Sequence, residues 1–111
     1  RNVTGVQTCA LPIFVRFQID VGNMAQAGGD PIMYLTKYPT RYYSMHVKDV
    51  DNQGGRIGIA VGEGKQDWPK IFQLAKAANI HNFDVETGAA ADVVMEKLRM
   101  SAEFLKNYPK V

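Results

Sequence analysis

The chain has 111 residues, 13 Lys plus Arg against 11 Asp plus Glu, and a single cysteine, Cys9. That length allows one small domain or a piece of a larger one, and the 46% hydrophobic and 22% charged content argue against intrinsic disorder. A net charge of +2 with scattered basic residues gives no case for a nucleic-acid partner, and one cysteine excludes an intramolecular disulfide or a cysteine-based zinc site. The longest uncharged run, Asn2 to Val15, holds Asn, Thr, Gln and Pro and is not a membrane span.

Residues 1–13 stand apart from the rest. They show neither a strand nor a helix period, and Pro12 breaks what could otherwise pass for the core of a signal peptide. Back-translated, Val3 to Ile13 resembles a common short-read sequencing adapter read in frame. The segment is therefore read as a cloning or assembly scar and set aside from fold reasoning. Removing it leaves 111 − 13 = 98 residues, takes away Arg1 and Cys9, and lowers the net charge to +1.

From Phe14 onward the pattern repeats. Val15, Phe17, Ile19 and Val21 alternate with Arg16, Gln18 and Asp20, which predicts a strand. A loop over Gly22–Gly29 leads to Asp30-Pro31, an N-cap with proline at the first helical position. Ile32, Leu35 and Tyr38 form the apolar face of a short helix ended by Pro39. A second strand is expected over Tyr42–Val50, with Tyr43, Met45 and Val47 on one face and Ser44, His46 and Lys48 on the other. The Gly-rich stretch Asp51–Gln66 is read as a long connection with a short extended piece at Ile57–Val61. Asp67 caps the next helix, whose stripe is Trp68, Ile71, Phe72, Ala75 and Ala78. A third strand spans Asn82–Glu86, and Asp92 is expected to cap a last helix with the stripe Val94, Leu98, Ala102 and Leu105. Three strand–helix units in a row predict an α/β fold of parallel strands joined by right-handed crossovers.

In such an array ligands bind beyond the C-terminal ends of the strands. Asp20, His46 and Glu86 each sit at or near a strand end, on the face opposite the apolar set. Alone, each is an ordinary cap, polar or solvent-facing residue. Their recurrence at equivalent positions in three units points to a divalent-metal site, and the oxygen-plus-imidazole mixture suits Mn²⁺, Co²⁺, Zn²⁺ or Mg²⁺. His81 precedes the third strand, at the opposite end, and is read as structural. The Gly62-Glu63-Gly64 turn lacks the Lys and Ser/Thr of a P-loop and is read as backbone geometry.

Taken together, Asp20-Val21-Gly22-Asn23, His46-Val47-Lys48-Asp49, Val61-Gly62-Glu63-Gly64 with Asp67-Trp68, and Val85-Glu86 resemble the sugar phosphate isomerase/epimerase group, which has the xylose isomerase-like TIM barrel. The resemblance covers about Phe14 to Tyr108 and implies the following. The chain is the C-terminal three βα units (strands 6–8) of a barrel that typically needs about 250 residues, and the barrel is incomplete. Two Glu, an Asp and a His hold the metal in that family. Asp20, His46 and Glu86 fall on three of these positions, and the fourth ligand has no counterpart here. The family reaction moves a proton through a metal-bound enediolate, so Glu86 is both ligand and acid/base. Asn23, where many members carry a His, is expected to bind a sugar hydroxyl but not to shuttle protons. Lys48 and Arg56 are candidates for contact with a substrate oxygen or phosphate.

The expected partner is thus a small-molecule sugar or sugar phosphate, not nucleic acid and not a membrane, with the oligomeric state open. An inosose-type dehydratase uses the same metal and enediolate logic and is the alternative on this barrel. An abasic endonuclease-like protein would need more histidines than His46 and His81. A non-catalytic barrel is the remaining rival, discriminated by whether a Glu ends the strand one unit upstream of Phe14. The absence of cysteine after residue 13 fits the cytoplasm, and the periplasm as well. The isolated 111-residue chain, with its barrel open, is expected to be inactive and poorly soluble.

Overall fold

A computed structural model of the chain describes residues 15–51 and 58–108. The adapter-like segment 1–13 and Arg56 lie outside the described residues. The element order is β1 (Phe17–Asp20), α1 (Val21–Gln26), α2 (Pro31–Lys37), β2 (Tyr42–Val47), α3 (Trp68–Ala77), β3 (Asn82–Val85) and α4 (Val94–Leu105). The strands form one parallel sheet in the order β1-β2-β3. Among the described residues this is an unclosed section of a TIM barrel, with β1 and β3 as its edges. Phe17 on β1 and Val85 on β3 are correspondingly exposed. Among the described residues no helix is long and apolar enough to cross a membrane.

The core lies between the sheet and its helices. Ile19, Met45 and Val47 from the strands meet Leu35 of α2 and Trp68, Ile71 and Ala75 of α3. Helices α2 and α3 pack against each other. The stripe expected for α3 is the one it buries, with Phe72 stacked on Trp68 at 5.5 Å between ring centroids. Asp30 and Asp67 cap α2 and α3 as predicted: Asp30 accepts from the Ile32 and Met33 amides and Asp67 from that of Lys70.

Six expectations change. Val21 does not extend β1; it opens α1, because Asp20 Oδ1 accepts the Asn23 amide at 2.8 Å and turns the chain into a helix at once. The expected loop Gly22–Gly29 is therefore partly helical. On β2 a register shift between Phe17 and Gln18 pairs them with Tyr42 and Ser44, so alternation fails there: Tyr42 is buried and Tyr43 exposed. Residues 58–61, the described part of the expected extended piece Ile57–Val61, form no strand. Asp92 does not cap α4: Val93 occupies that position and no side chain bonds there. The most buried residue of α4 is Ser101, not Ala102, because its hydroxyl accepts the Val61 amide at 2.9 Å and donates to the Lys97 carbonyl at 2.8 Å.

The connection from β2 to α3 is organised by Asp49, which is 1% exposed. Its Oδ1 accepts the amides of Val50 and Gln66 at 2.9 and 3.2 Å. Its Oδ2 accepts the amides of Gly62 and Gly64 at 2.8 and 3.2 Å and the Trp68 indole N–H at 2.9 Å. A Cβ on Gly64 would collide with the Val50 carbonyl and the Asp49 carboxylate, and Gly62 has φ +100° with the Phe104 ring against it. The Gly-x-Gly spacing is thus the backbone geometry that lets two amides approach one carboxylate. Asp49→Asn would turn an amide NH₂ toward donors on one side. Leaving buried donors unsatisfied costs about 1–3 kcal/mol each, so the variant is expected to lose about 3 kcal/mol or more in urea unfolding. A loss below about 1 kcal/mol would contradict this arrangement.

Candidate metal centre

Parallel register places Asp20 beside His46, and His46 beside Asp84. The next rung is extended by the Glu86 amide, which donates to the Val47 carbonyl at 3.1 Å and fixes Glu86 alongside the end of β2. Although Asp84 is level with His46, it is Glu86 that reaches the imidazole: His46 Nδ1 lies 2.7 Å from Glu86 Oε1 and 3.4 Å from Asp20 Oδ2. One ligand atom from each of Asp20, His46 and Glu86 lies within 4.8 Å of the others, and all three residues are half-buried.

These donors fit a divalent cation. Atoms bound to one ion at about 2.0–2.2 Å can be at most about 4.4 Å apart, so small side-chain rotations suffice. Asp20 divides its oxygens: Oδ1 is committed to capping α1, and Oδ2 faces the cluster. Two carboxylates and an imidazole form a hard-to-borderline donor set suited to Mn²⁺, Co²⁺, Zn²⁺ or Mg²⁺.

Lys48 enters from beneath. Its side chain is 4% exposed and its ammonium donates to Glu86 Oε2 at 2.9 Å and to Asn23 Oδ1 at 3.0 Å. The path passes over Gly22, where a Cβ would come within 2.5 Å of Lys48 Cγ and 2.7 Å of its carbonyl oxygen. The residues proposed from sequence as site components are therefore brought together, save Arg56, which lies outside the described residues. His81 is exposed and pairs with Asn79 Oδ1 at 2.7 Å, clear of the cluster. Sequence reasoning missed Gly22; the signal was a glycine in the first turn after a candidate ligand.

The Lys48 hydrogen bond, aided by the charges of Lys48 and His46 and by a hydrogen bond with Asp20, holds the Glu86 carboxyl below its ordinary range, against a smaller opposing effect of desolvation.

No family model matches the chain, and no curated protein matches it. Solved structures do. One sugar phosphate isomerase/epimerase from Parabacteroides distasonis ATCC 8503 is 27% identical with a TM-score of 0.74, over 88% of this chain and 32% of that one. A second from the same organism is 26% identical with a TM-score of 0.71, over 86% and 32%. The chain matches part of a sugar phosphate isomerase/epimerase. It spans about a third of the length of those isomerase/epimerase structures, in keeping with a fragment of that family.

Two measurements follow from this geometry. Because the folded-state pKa of Glu86 is depressed, its ion pair contributes fully above the ordinary glutamate value and is lost as pH falls through the lower folded value. A ¹³C titration of the metal-free protein should give a Glu86 midpoint below the ordinary glutamate value, and a midpoint above it would contradict the pairing. Gly22→Ala should displace Lys48 and lower stability by about 1–3 kcal/mol through overpacking, read by thermal unfolding; a neutral effect would show that the close approach is absent.

Proposed function

We propose that the chain is the C-terminal part of a divalent-metal-dependent sugar or sugar phosphate isomerase/epimerase. The observation that carries this reading is the convergence of Asp20, His46 and Glu86 at the strand C-termini of a partial barrel whose structural neighbours bear that name. In the reading proposed, Asp20 Oδ2, the His46 imidazole and a Glu86 oxygen hold the cation. When bound, it supplies Lewis-acid polarisation of substrate oxygens, which makes the adjacent C–H more acidic.

The chain's own residues do the rest. Glu86, kept ionised by Lys48, is one of two acid/base groups: it takes the proton from the carbon next to the substrate carbonyl and returns it to the neighbouring carbon on the same face, while return to the opposite face falls to the second glutamate. His46 orients between the two carboxylates, so its ring cannot swing out of the cluster without losing the 2.7 Å contact to Glu86. Asn23, exposed at the start of α1, offers a hydrogen bond to a sugar hydroxyl. Arg56, outside the described residues, is retained as a candidate contact for a substrate oxygen or phosphate. A second glutamate, contributed by a part of the barrel beyond these strands, completes the ligand set.

Glu86→Gln keeps the side-chain shape but can neither accept the proton nor balance the cation. In the intact protein it is expected to lower deuterium incorporation at the substrate carbon by at least about 10²-fold, measured in D₂O across a panel of ketoses and inososes. Exchange that persists at the wild-type rate would assign the base to another residue. Incorporation together with loss of water from an inosose would favour the dehydratase.

A further inference from the structure

We propose that Lys48 is a positioning residue for the metal centre: its ammonium fixes which Glu86 oxygen faces the cluster and which end of the Asn23 amide faces the open side. This deepens the isomerase/epimerase reading and rests on it.

The argument begins with what a lysine can do. An ammonium has three donors and no acceptor, so every group it touches must present an acceptor. Lys48 donates to Glu86 Oε2 at 2.9 Å, while Oε1 of the same carboxylate lies 2.7 Å from His46 Nδ1. The two oxygens are thereby assigned, one to the lysine and one to the cluster, and Glu86 is set to offer a single oxygen rather than to chelate through both. Lys48 also donates to Asn23 Oδ1 at 3.0 Å. The amide must then turn its NH₂ group the other way, toward the exposed side of α1. This corner of the site consequently offers donors, suited to a substrate oxygen that accepts, such as a carbonyl, hydroxyl or phosphate oxygen.

Lys48 itself has little freedom. Its side chain is 4% exposed and lies against Gly22, the one place in α1 where a missing Cβ makes room for it. Two contacts with groups on two different elements, α1 and the end of β3, make it a tie across the sheet between the helix that Asp20 caps and the strand that delivers Glu86. A residue free to reach substrate would not be buried and doubly engaged in this way. Lys48 is thus better described as holding Glu86 and Asn23 than as the substrate contact expected from sequence.

The test uses the intact protein and Mn²⁺ as the probe, with affinity read by electron paramagnetic resonance. Partners that hold a metal-ligating carboxylate typically contribute about 10- to 100-fold in affinity, so Lys48→Met should weaken Mn²⁺ binding by that factor. Asn23→Ala, which removes only the other contact, should weaken Mn²⁺ binding less than Lys48→Met does. Unchanged or tighter binding in a folded Lys48→Met variant would overturn the proposal. Should Lys48→Met not fold, Lys48→Gln, which retains a donor without the charge, replaces it: weakening smaller than about 10-fold supports positioning, and complete loss of binding contradicts it. Failure of the wild-type protein to bind Mn²⁺ would instead count against the metal reading. In that case the Lys48 tie is judged in the ¹⁵N-lysine spectrum of the metal-free protein. A slowly exchanging Lys48 ammonium signal that Glu86→Gln alters supports the tie, and a rapidly exchanging one contradicts it.

Discussion

The Asp49 carboxylate, 1% exposed, gathers five N–H donors from a connection that would otherwise have no way to bury its backbone beside the sheet. A buried charge is tolerated only when its hydrogen bonds are complete, so the loop must arrive with its amides aimed inward. That demand explains several otherwise separate features. Gly62 and Gly64 leave space where side chains would collide, and Trp68 places its indole N–H inward at the first turn of α3. Lys65 closes the same turn by donating to the Val50 carbonyl at 2.9 Å.

The same carboxylate reaches the site through chain continuity. Just past the end of β2, neighbouring residues divide their tasks: Lys48 serves the cluster and Asp49 the loop. Asp49 anchors the segment just after His46, and the adjacent Lys48 runs over Gly22 toward Glu86. The fold below the site and the charge pattern within it are therefore two sides of one short stretch, His46-Val47-Lys48-Asp49. The Glu86 amide, bonded to the Val47 carbonyl, ties the third strand to the middle of that stretch.

Much of this was legible in the sequence because it depends on local chemistry. Period-2 alternation marked the strands, Asp-Pro at 30–31 and Asp67 marked helix starts, and the stripe from Trp68 to Ala78 marked the face of α3. Asp20, His46 and Glu86 could be singled out because strand-end position and side-chain type coincide three times. What escaped was set by tertiary partners. Asp20 was recognisable as a polar strand end, but not as the cap that turns Val21 into a helix. Ser101 outranks its apolar neighbour in burial because a loop amide needs its hydroxyl. Asp92 looks like a cap in sequence, yet the turn before α4 carries the chain past it. The shift at Tyr42–Tyr43 arises from strand pairing, which no single strand encodes. Lys48 was identifiable as inward-facing, while its engagement with two partners required the relative placement of α1 and β3.

The central claim is that Asp20, His46 and Glu86 form one side of a divalent-metal centre. It is tested most directly by anomalous diffraction from crystals of the intact protein soaked in Mn²⁺. The account predicts a single strong peak within bonding distance of Asp20 Oδ2, the His46 imidazole and one Glu86 oxygen, with the other Glu86 oxygen still on Lys48. A peak elsewhere, or full Mn²⁺ saturation with the His46–Glu86 contact unchanged and no density between them, would contradict it.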